Sequence, residues 1–240
     1  MVFKLYHIYD KVKSVMINTN YLFDDIGGIT SVWVAPSQNE ETDLAAIVGF
    51  VCNNGIRTIS VPVGIVKKIW PWIEGKNIDV IGRFDFNNDV GADTAMSNLA
   101  STVTAEFNSG LSGIQVFVPL NQIDSFMAEL LPIRDDLLFH RHFSIAIDVD
   151  GKLEPDWEFV FGAIKKLRVD SLLIVAHGDK FNVKDDFVGR MFDMLNNWDA
   201  DCDLHMMFDN NLMRVSQVLR LVQKIRPNLM AGLRVFRQLV

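Results

Sequence analysis

Eight short apolar runs, each rich in β-branched residues and each followed by an amphipathic stretch, recur along this chain of 240 residues. The runs start near Ile29, Ile56, Ile78, Ser112, Phe143, Ser171, Cys202 and Leu229. Successive starts lie 22 to 34 residues apart, which is the repeat of a strand, a loop and a crossover helix. Eight such units predict a closed (β/α)8 TIM barrel of the α/β class, because an open doubly wound sheet usually has fewer strands.

We interpret residues 1–240 as a single (β/α)8 barrel domain, since α/β barrels of this length do not split. Residues 1–26 form an N-terminal extension before the first predicted strand, Ile29–Val34. The eighth predicted strand, Leu229–Phe236, is followed only by residues 237–240. The last helix is therefore expected to be short, absent or supplied by a neighbouring subunit, so a homo-oligomer is one expected state.

Charge and hydropathy exclude several classes of partner. The net charge of −7 argues against nucleic acid and against anionic membrane surfaces. Met1 to Asn20 mixes apolar and charged residues as a signal peptide does not, and no apolar run is long enough to cross a membrane. We therefore expect a cytoplasmic protein. Cys52 and Cys202 stand 150 positions apart, which predicts buried thiols in a reducing compartment.

Candidate catalytic residues follow from the rule that barrel enzymes place their active sites at the carboxyl ends of the strands. The densest polar cluster follows the sixth predicted strand and includes His177 and Lys180. His205 lies within the seventh strand, and Asp85 lies near the end of the third. We predict His177 or His205 as the acid or base, with Lys180 and Asp85 beside them. The alternatives are a Gly-Asp turn at His177 and a hydrogen-bonded core histidine at His205.

A binding site for an anion is predicted after the last two strands, where many barrels hold phosphate. Its residues are Asn210, Asn211 and Arg234. A helix cap for the asparagines and a surface position for the arginine explain the same pattern. Asp85, Asp148, Asp179 and Asp209 could also bring four carboxylates to one rim. Aspartate is common in loops that leave strands, however, so we expect no metal and no cofactor.

The segment from Ile56 to Phe117 resembles the deoxyribose-phosphate aldolase group of class I aldolases. It has that family's order and lengths: a strand at Thr58–Val63 leading into Val66 and Lys67, a strand at Ile78–Phe86, a polar loop with Gly91, and a helix ending at Asn108, Ser109 and Gly110. Strands six to eight follow with similar spacing. The resemblance implies a barrel that cleaves or forms carbon–carbon bonds in small sugar phosphates.

The chain departs from that family at the positions that carry its chemistry. The family has an acidic residue on strand four, where this chain has Gln115. It has the Schiff-base lysine on strand six, where Leu172 to Ala176 are all apolar and Lys180 comes later. It has a second lysine and a glycine-rich phosphate turn at strand seven, where this chain has His205, Phe208 and Asp209. The family's catalytic lysines are therefore expected to be missing.

Two main hypotheses about function remain open from the sequence, beside a weaker third in which the aspartates at the rim support metal-assisted chemistry. The first is an aldolase-like lyase that acts on a small phosphorylated or oxygenated carbon compound without the usual Schiff-base lysine. The second is a non-catalytic barrel that binds a metabolite or serves as an oligomer subunit. Both imply a small molecule as the partner.

Overall fold

A computed structural model describes residues 29–35, 41–86, 97, 100–101, 110–137, 142–149, 155–176, 187–208 and 211–238. Eight parallel strands pair in chain order, and β1 pairs with β8 to close the barrel. The strands are β1 (Thr30–Trp33), β2 (Thr58–Pro62), β3 (Asp79–Asp85), β4 (Gly113–Phe117), β5 (His142–Asp148), β6 (Ser171–Val175), β7 (Asp203–Met207) and β8 (Arg234–Gln238). The predicted (β/α)8 barrel is confirmed. The predicted extension, residues 1–26, lies outside the described residues.

Helices follow most of the strands. They are α1 (Glu41–Asn53), α2 (Val66–Ile73), α3 (Ile123–Leu130), α4 (Arg134–Leu137), α5 (Trp157–Leu167), α6 (Phe187–Asn196) and α7 (Leu212–Ile225). Helix α2 is short and contains Pro71 near its end, because proline cannot donate the backbone bond of a helix interior. None of the helices within the described ranges is long and apolar enough to cross a membrane.

Alternate strand residues face the helices and build the main core. Ile59 and Val61 of β2 and Ile145 and Ile147 of β5 are at most 3% exposed. They belong to one apolar cluster with buried residues of the surrounding helices. Burying each such side chain stabilises the fold by about 1.5–3 kcal/mol, so this outer layer is the main source of barrel stability.

The strand residues between these face the barrel interior, whose carboxyl half and amino half differ in polarity. The carboxyl half is filled by one apolar cluster of Trp33, Phe117, Ala146, Leu173, Val175, Met207 and Phe236. The amino half is polar and includes Ser60, Gln115, Ser144, Ser171 and His205, all of them buried. The strands are therefore less uniformly apolar than the composition suggests.

The predicted start of the eighth strand is wrong. Pro227–Met230 form a 3-10 helix, and β8 begins only at Arg234. The amide of Leu229 donates to the carbonyl of Arg226 at 3.0 Å, and its side chain is buried in the core. The apolar run around Leu229 packs as a turn, and its hydrophobic pattern alone does not distinguish a buried turn from a strand.

The two cysteines are less buried than the sequence predicts. Both are free, but both are half-buried rather than fully buried. Cys52 lies in α1, and the Nζ of Lys76 approaches its sulfur at 3.4 Å. Cys202 directly precedes β7, where burial raises the pKa of its thiol to about 12. Cys202 is therefore an unreactive thiol at neutral pH.

Candidate functional site

The predicted site residues that the structure describes lie at opposite ends of the barrel. Asp85 ends β3 and is exposed at the carboxyl end. Asn211 lies just after β7 at the same end. His205 is the middle residue of β7, and its side chain lines a cavity that opens toward the amino end together with Arg234. His177, Lys180 and Asn210 lie outside the described residues.

Arg234 does not join Asn211 in one anion site. Because β8 begins at Arg234, this residue is at the amino end of its strand and pairs in register with His205. The side-chain oxygen of Asn211 accepts a hydrogen bond from the amide of Arg214 at 3.1 Å and caps α7. The structure thus corrects the predicted grouping, and the cause is the misplaced start of the eighth strand.

Arg83 of β3 is a charged residue whose side chain is buried inside the carboxyl half of the barrel. Its Nη2 donates to the carbonyl oxygen of Val34 at 2.5 Å, and its Nη1 lies 3.5 Å from the hydroxyl of Ser60. The guanidinium carbon stands 3.6 Å from the ring centre of Trp33, a cation–π contact. The side chain is only 6% exposed.

Arg83 makes no ion pair within 4 Å among the described residues. Burial lowers its pKa to about 9, and the more distant charge of Asp85 raises it in part. The group therefore remains protonated at neutral pH. Since buried charges in proteins are normally paired, this cation is suited to receive an anionic ligand group.

Below Arg83, three polar side chains from β2, β4 and β5 form a hydrogen-bonded row inside the barrel. The hydroxyl of Ser60 donates to Oε1 of Gln115 at 3.0 Å. The amide nitrogen of Gln115 donates to the hydroxyl of Ser144 at 3.4 Å. Gln115 stands where the resembled family has an acid, and here its amide supplies one donor and one acceptor. This row satisfies buried polar groups, as an uncharged structural network would.

The amino half of the interior holds two stacked imidazoles, His142 of β5 and His205 of β7. Their ring centres are 6.2 Å apart and their planes differ by 18°. Nε2 of His142 shares a 3.0 Å hydrogen bond with the hydroxyl of Ser171. Burial lowers the pKa of His205 to about 3, with further lowering by His142 and Arg234. Burial also lowers the pKa of His142. Both rings are therefore neutral at physiological pH.

Two residues of these sites, Trp33 and His142, are not predicted from the sequence. Trp33 reads as an ordinary strand residue, and only the closed barrel brings it against Arg83 from β3. The sequence predicts a strand that starts at Phe143, whereas β5 starts one residue earlier, at His142. Extending the alternation by one residue would have placed its side chain in the interior with Ser144.

The eight strands contain no lysine. A Schiff base on a barrel strand, held in a dry interior with a lowered pKa, therefore has no amine available from these segments. Within the described ranges, no group of three or more His, Cys, Asp and Glu side chains is placed to hold a metal ion. Acid–base and anion-binding groups are the chemistry that the described interior offers.

Comparison with known proteins identifies solved structures that share this fold. No family model matches the chain, and no curated protein sequence matches it. Among solved structures, it is similar to the tetrameric deoxyribose phosphate aldolase of Aeropyrum pernix, with a TM-score of 0.63 at 10% identity over 89% of this chain and 86% of that one. It is similar to an aldolase named QR15, with a TM-score of 0.63 at 12% identity over 89% and 91%.

A third similar structure is N-acetylneuraminate lyase of Mycoplasma synoviae, with a TM-score of 0.53 at 9% identity over 87% of this chain and 68% of that one. Identities this low establish architecture and leave chemistry to the individual residues. The resemblance to deoxyribose-phosphate aldolases seen in the sequence is confirmed for the fold, which is a closed (β/α)8 barrel.

Proposed function

We propose that this protein is an aldolase-like barrel that acts, without a Schiff-base lysine, on a small phosphorylated or oxygenated carbon compound at the carboxyl end of the barrel. The observation that carries the proposal is the buried guanidinium of Arg83, which has no carboxylate within ion-pairing distance among the described residues. A phosphate, a carboxylate or an enolate oxygen would supply the missing negative charge.

The lack of a strand lysine defines what this charge would do. When the bond between the α- and β-carbons of a β-hydroxy carbonyl compound breaks, its electron pair passes into an enolate. A base removes the proton of the β-hydroxyl, whose oxygen becomes the carbonyl oxygen of the released fragment. A fixed cation in a water-poor interior can stabilise that enolate in place of an iminium group. Arg83 is held rigidly for this role by Trp33 and by the carbonyl of Val34.

Asp85 follows Arg83 on the same inward-facing row of β3 and is exposed at the carboxyl end, so it is our first choice as the base. His177, Lys180 and Asn210 remain proposals for this end of the barrel on the basis of the sequence, because each follows the carboxyl end of β6 or β7. His205 and Arg234 are not part of this proposal, since their side chains line the amino-end cavity.

Thermal shift and borohydride trapping test the proposal together. We expect sugar phosphates or oxo-acids to raise the melting temperature of the native protein and of Arg220→Gln, an exposed control on α7. Arg83→Gln should lose the shift, and Arg83→Lys should retain part of it because the charge remains. Borohydride should leave the intact mass unchanged. A trapped adduct, or an equal shift in Arg83→Gln, would contradict the proposal.

The second candidate is a barrel that binds such a compound without cleaving it. It is favoured by the apolar filling of the carboxyl half, where Trp33, Leu173, Val175 and Met207 are at most 7% exposed. A chromatographic assay for aldehyde or ketone products decides between the two. Binding without product release over long incubation would favour this second function.

We propose in addition that the chain self-associates. Val188 and Phe192 are 40% and 46% exposed and stand four residues apart on α6, so they share one face. An apolar face of this kind is typical of interfaces. We expect light scattering to show an oligomer that Phe192→Lys disrupts, and a monomeric native protein would refute this.

A further inference from the structure

A cavity of about 310 Å³ opens at the amino end of the barrel, opposite the end at which barrel enzymes usually react. Its walls come from the first residues of the strands and from the inward-facing residues above them. The residues that matter for binding are Asp79, His142, Asp203, His205, Arg234 and Phe236. This volume is at the low end of the range for ligand pockets, so a small molecule would fill it.

His205 is the clearest sign that the cavity receives a ligand. Its side chain is 7% exposed, and its Nδ1 is buried without a hydrogen-bond partner in the part of the chain that the structure describes. Buried polar atoms are almost always hydrogen-bonded, and leaving one unpaired costs about 1–3 kcal/mol. Nε2 of the neighbouring His142 already forms a hydrogen bond with Ser171, so Nδ1 of His205 is the atom that a ligand would pair.

Two glycines leave room for the walls of this cavity. A Cβ at Gly113 would stand 2.5 Å from the carbonyl oxygen of His142. A Cβ at Gly232 would overlap the carboxylate of Asp203. A side chain at either position would displace His142 or Asp203. The two glycines therefore allow both residues to keep their places in the cavity wall.

The charge of the walls selects the class of ligand. Asp79 and Asp203 are carboxylates at the mouth, and Arg234 is a single cation beside them. The two imidazoles are neutral, so the part of the lining that the structure describes has a net negative charge and disfavours phosphate. Carboxylates accept hydrogen bonds from hydroxyl groups, the guanidinium donates to hydroxyl oxygens, and a neutral imidazole can do either. The ring of Phe236 offers an apolar surface of the kind that packs on the carbon skeleton of a ligand.

We propose that the amino-end cavity is a binding site for a small, uncharged polyhydroxy compound, such as a free sugar or a polyol. The site is separate from the one proposed at Arg83, which binds an anionic group, whereas the cavity binds an uncharged compound. Either site can therefore fail in experiment without affecting the evidence for the other.

Titration of the native protein with D-ribose and with erythritol tests the proposal, and ribose 5-phosphate serves as the anionic comparison. The imidazole resonances of His142 and His205 in ¹H–¹⁵N spectra report on the cavity directly. We expect ribose or erythritol to shift both sets of signals in a saturable manner, while ribose 5-phosphate shifts them less at equal concentration. Unmoved signals at about 100 mM sugar, where a millimolar binder is saturated, would overturn the proposal.

Variants separate binding in the cavity from binding elsewhere. Asp79→Asn changes an exposed side chain at the mouth and should weaken sugar binding about tenfold, the size of one hydrogen bond to a charged group. Asp193→Asn, an exposed carboxylate on α6, should bind like the native protein. His205→Asn should bind more weakly still. Equal affinity in the native protein and in Asp79→Asn would refute the site even if His205→Asn does not fold, and so would tighter binding of ribose 5-phosphate to the same histidines.

Discussion

The rings of His142 and His205 stack 6.2 Å apart inside the barrel although β6 lies between their strands. Burial lowers the pKa of both rings. The pKa of His205 is lowered further by His142 and Arg234, whereas the carboxylates of Asp170, Asp203 and Asp79 partly raise that of His142. This pair gives the protein a dependence on pH that can be measured without knowing its ligand.

We predict that the fold weakens as the pH falls below 6.5. The folded pKa of His205 is lowered to about 3 from 6.5, so between these values the unfolded chain binds a proton that the folded chain does not. Above pH 6.5 the ring is neutral in both the folded and the unfolded chain, so its contribution to the free energy of unfolding no longer changes with pH. Below it, the contribution of His205 alone should lower the free energy of unfolding by about 1.4 kcal/mol for each pH unit. Urea unfolding at several pH values measures this slope.

His205→Phe is the variant that isolates this effect, because it cannot take up a proton. The difference in unfolding free energy between the native protein and His205→Phe should be constant above pH 6.5 and should shift in favour of the variant below it. A difference that stays constant down to pH 4 would show that His205 is not held neutral by the fold.

Arg83→Gln is predicted to destabilise the fold by about 2 kcal/mol, because it leaves the carbonyl of Val34 without its donor in a buried setting. The cation–π contact with Trp33 is lost as well. Chemical unfolding followed by circular dichroism measures the change. Arg220→Gln on the surface of α7 should change stability by less than about 0.5 kcal/mol, and equal effects of the two variants would contradict a buried role for Arg83.

Gly113→Ala should destabilise the barrel by about 2–3 kcal/mol, because the new methyl group would meet the backbone oxygen and the Cβ of His142 at 2.5 and 2.7 Å. Gly162→Ala on α5 meets nothing within 4 Å and should instead stabilise the helix by about 0.5–1 kcal/mol. Thermal unfolding of the two variants compares a glycine whose added Cβ would clash with one whose added Cβ would meet open space. Similar melting temperatures would show that β4 and β5 separate more easily than their geometry suggests.

Asn211→Ala should cost about 1 kcal/mol through loss of the cap on α7, whereas Asn211→Asp should keep most of the stability because aspartate caps equally well. Asp156→Ala, which removes the equivalent cap from α5, provides a comparison of the same kind. Unfolding free energies measure both. If Asn211→Ala were neutral for stability and instead abolished binding of sugar phosphates, the asparagine would be a ligand group and the cap incidental.

The sequence by itself determined the barrel. Eight apolar runs at strand-and-helix spacing allow few other folds, because each run must pair with its neighbours and be covered by the helix that follows it. It also marked Asp85, His205 and Arg234 as polar residues on or beside strands, since charged and titratable groups are rare in such apolar segments.

Only the tertiary structure decided which of these residues meet. The start of β8 at Arg234 instead of Leu229 moved one arginine from the carboxyl end to the amino end, and it placed this arginine beside His205. The contact of Arg83 with Trp33 and the stacking of His142 on His205 likewise join residues far apart in the chain. Local patterns fix the period of each strand, but register and closure depend on the packing of the whole barrel, and these set the end at which each side chain lies.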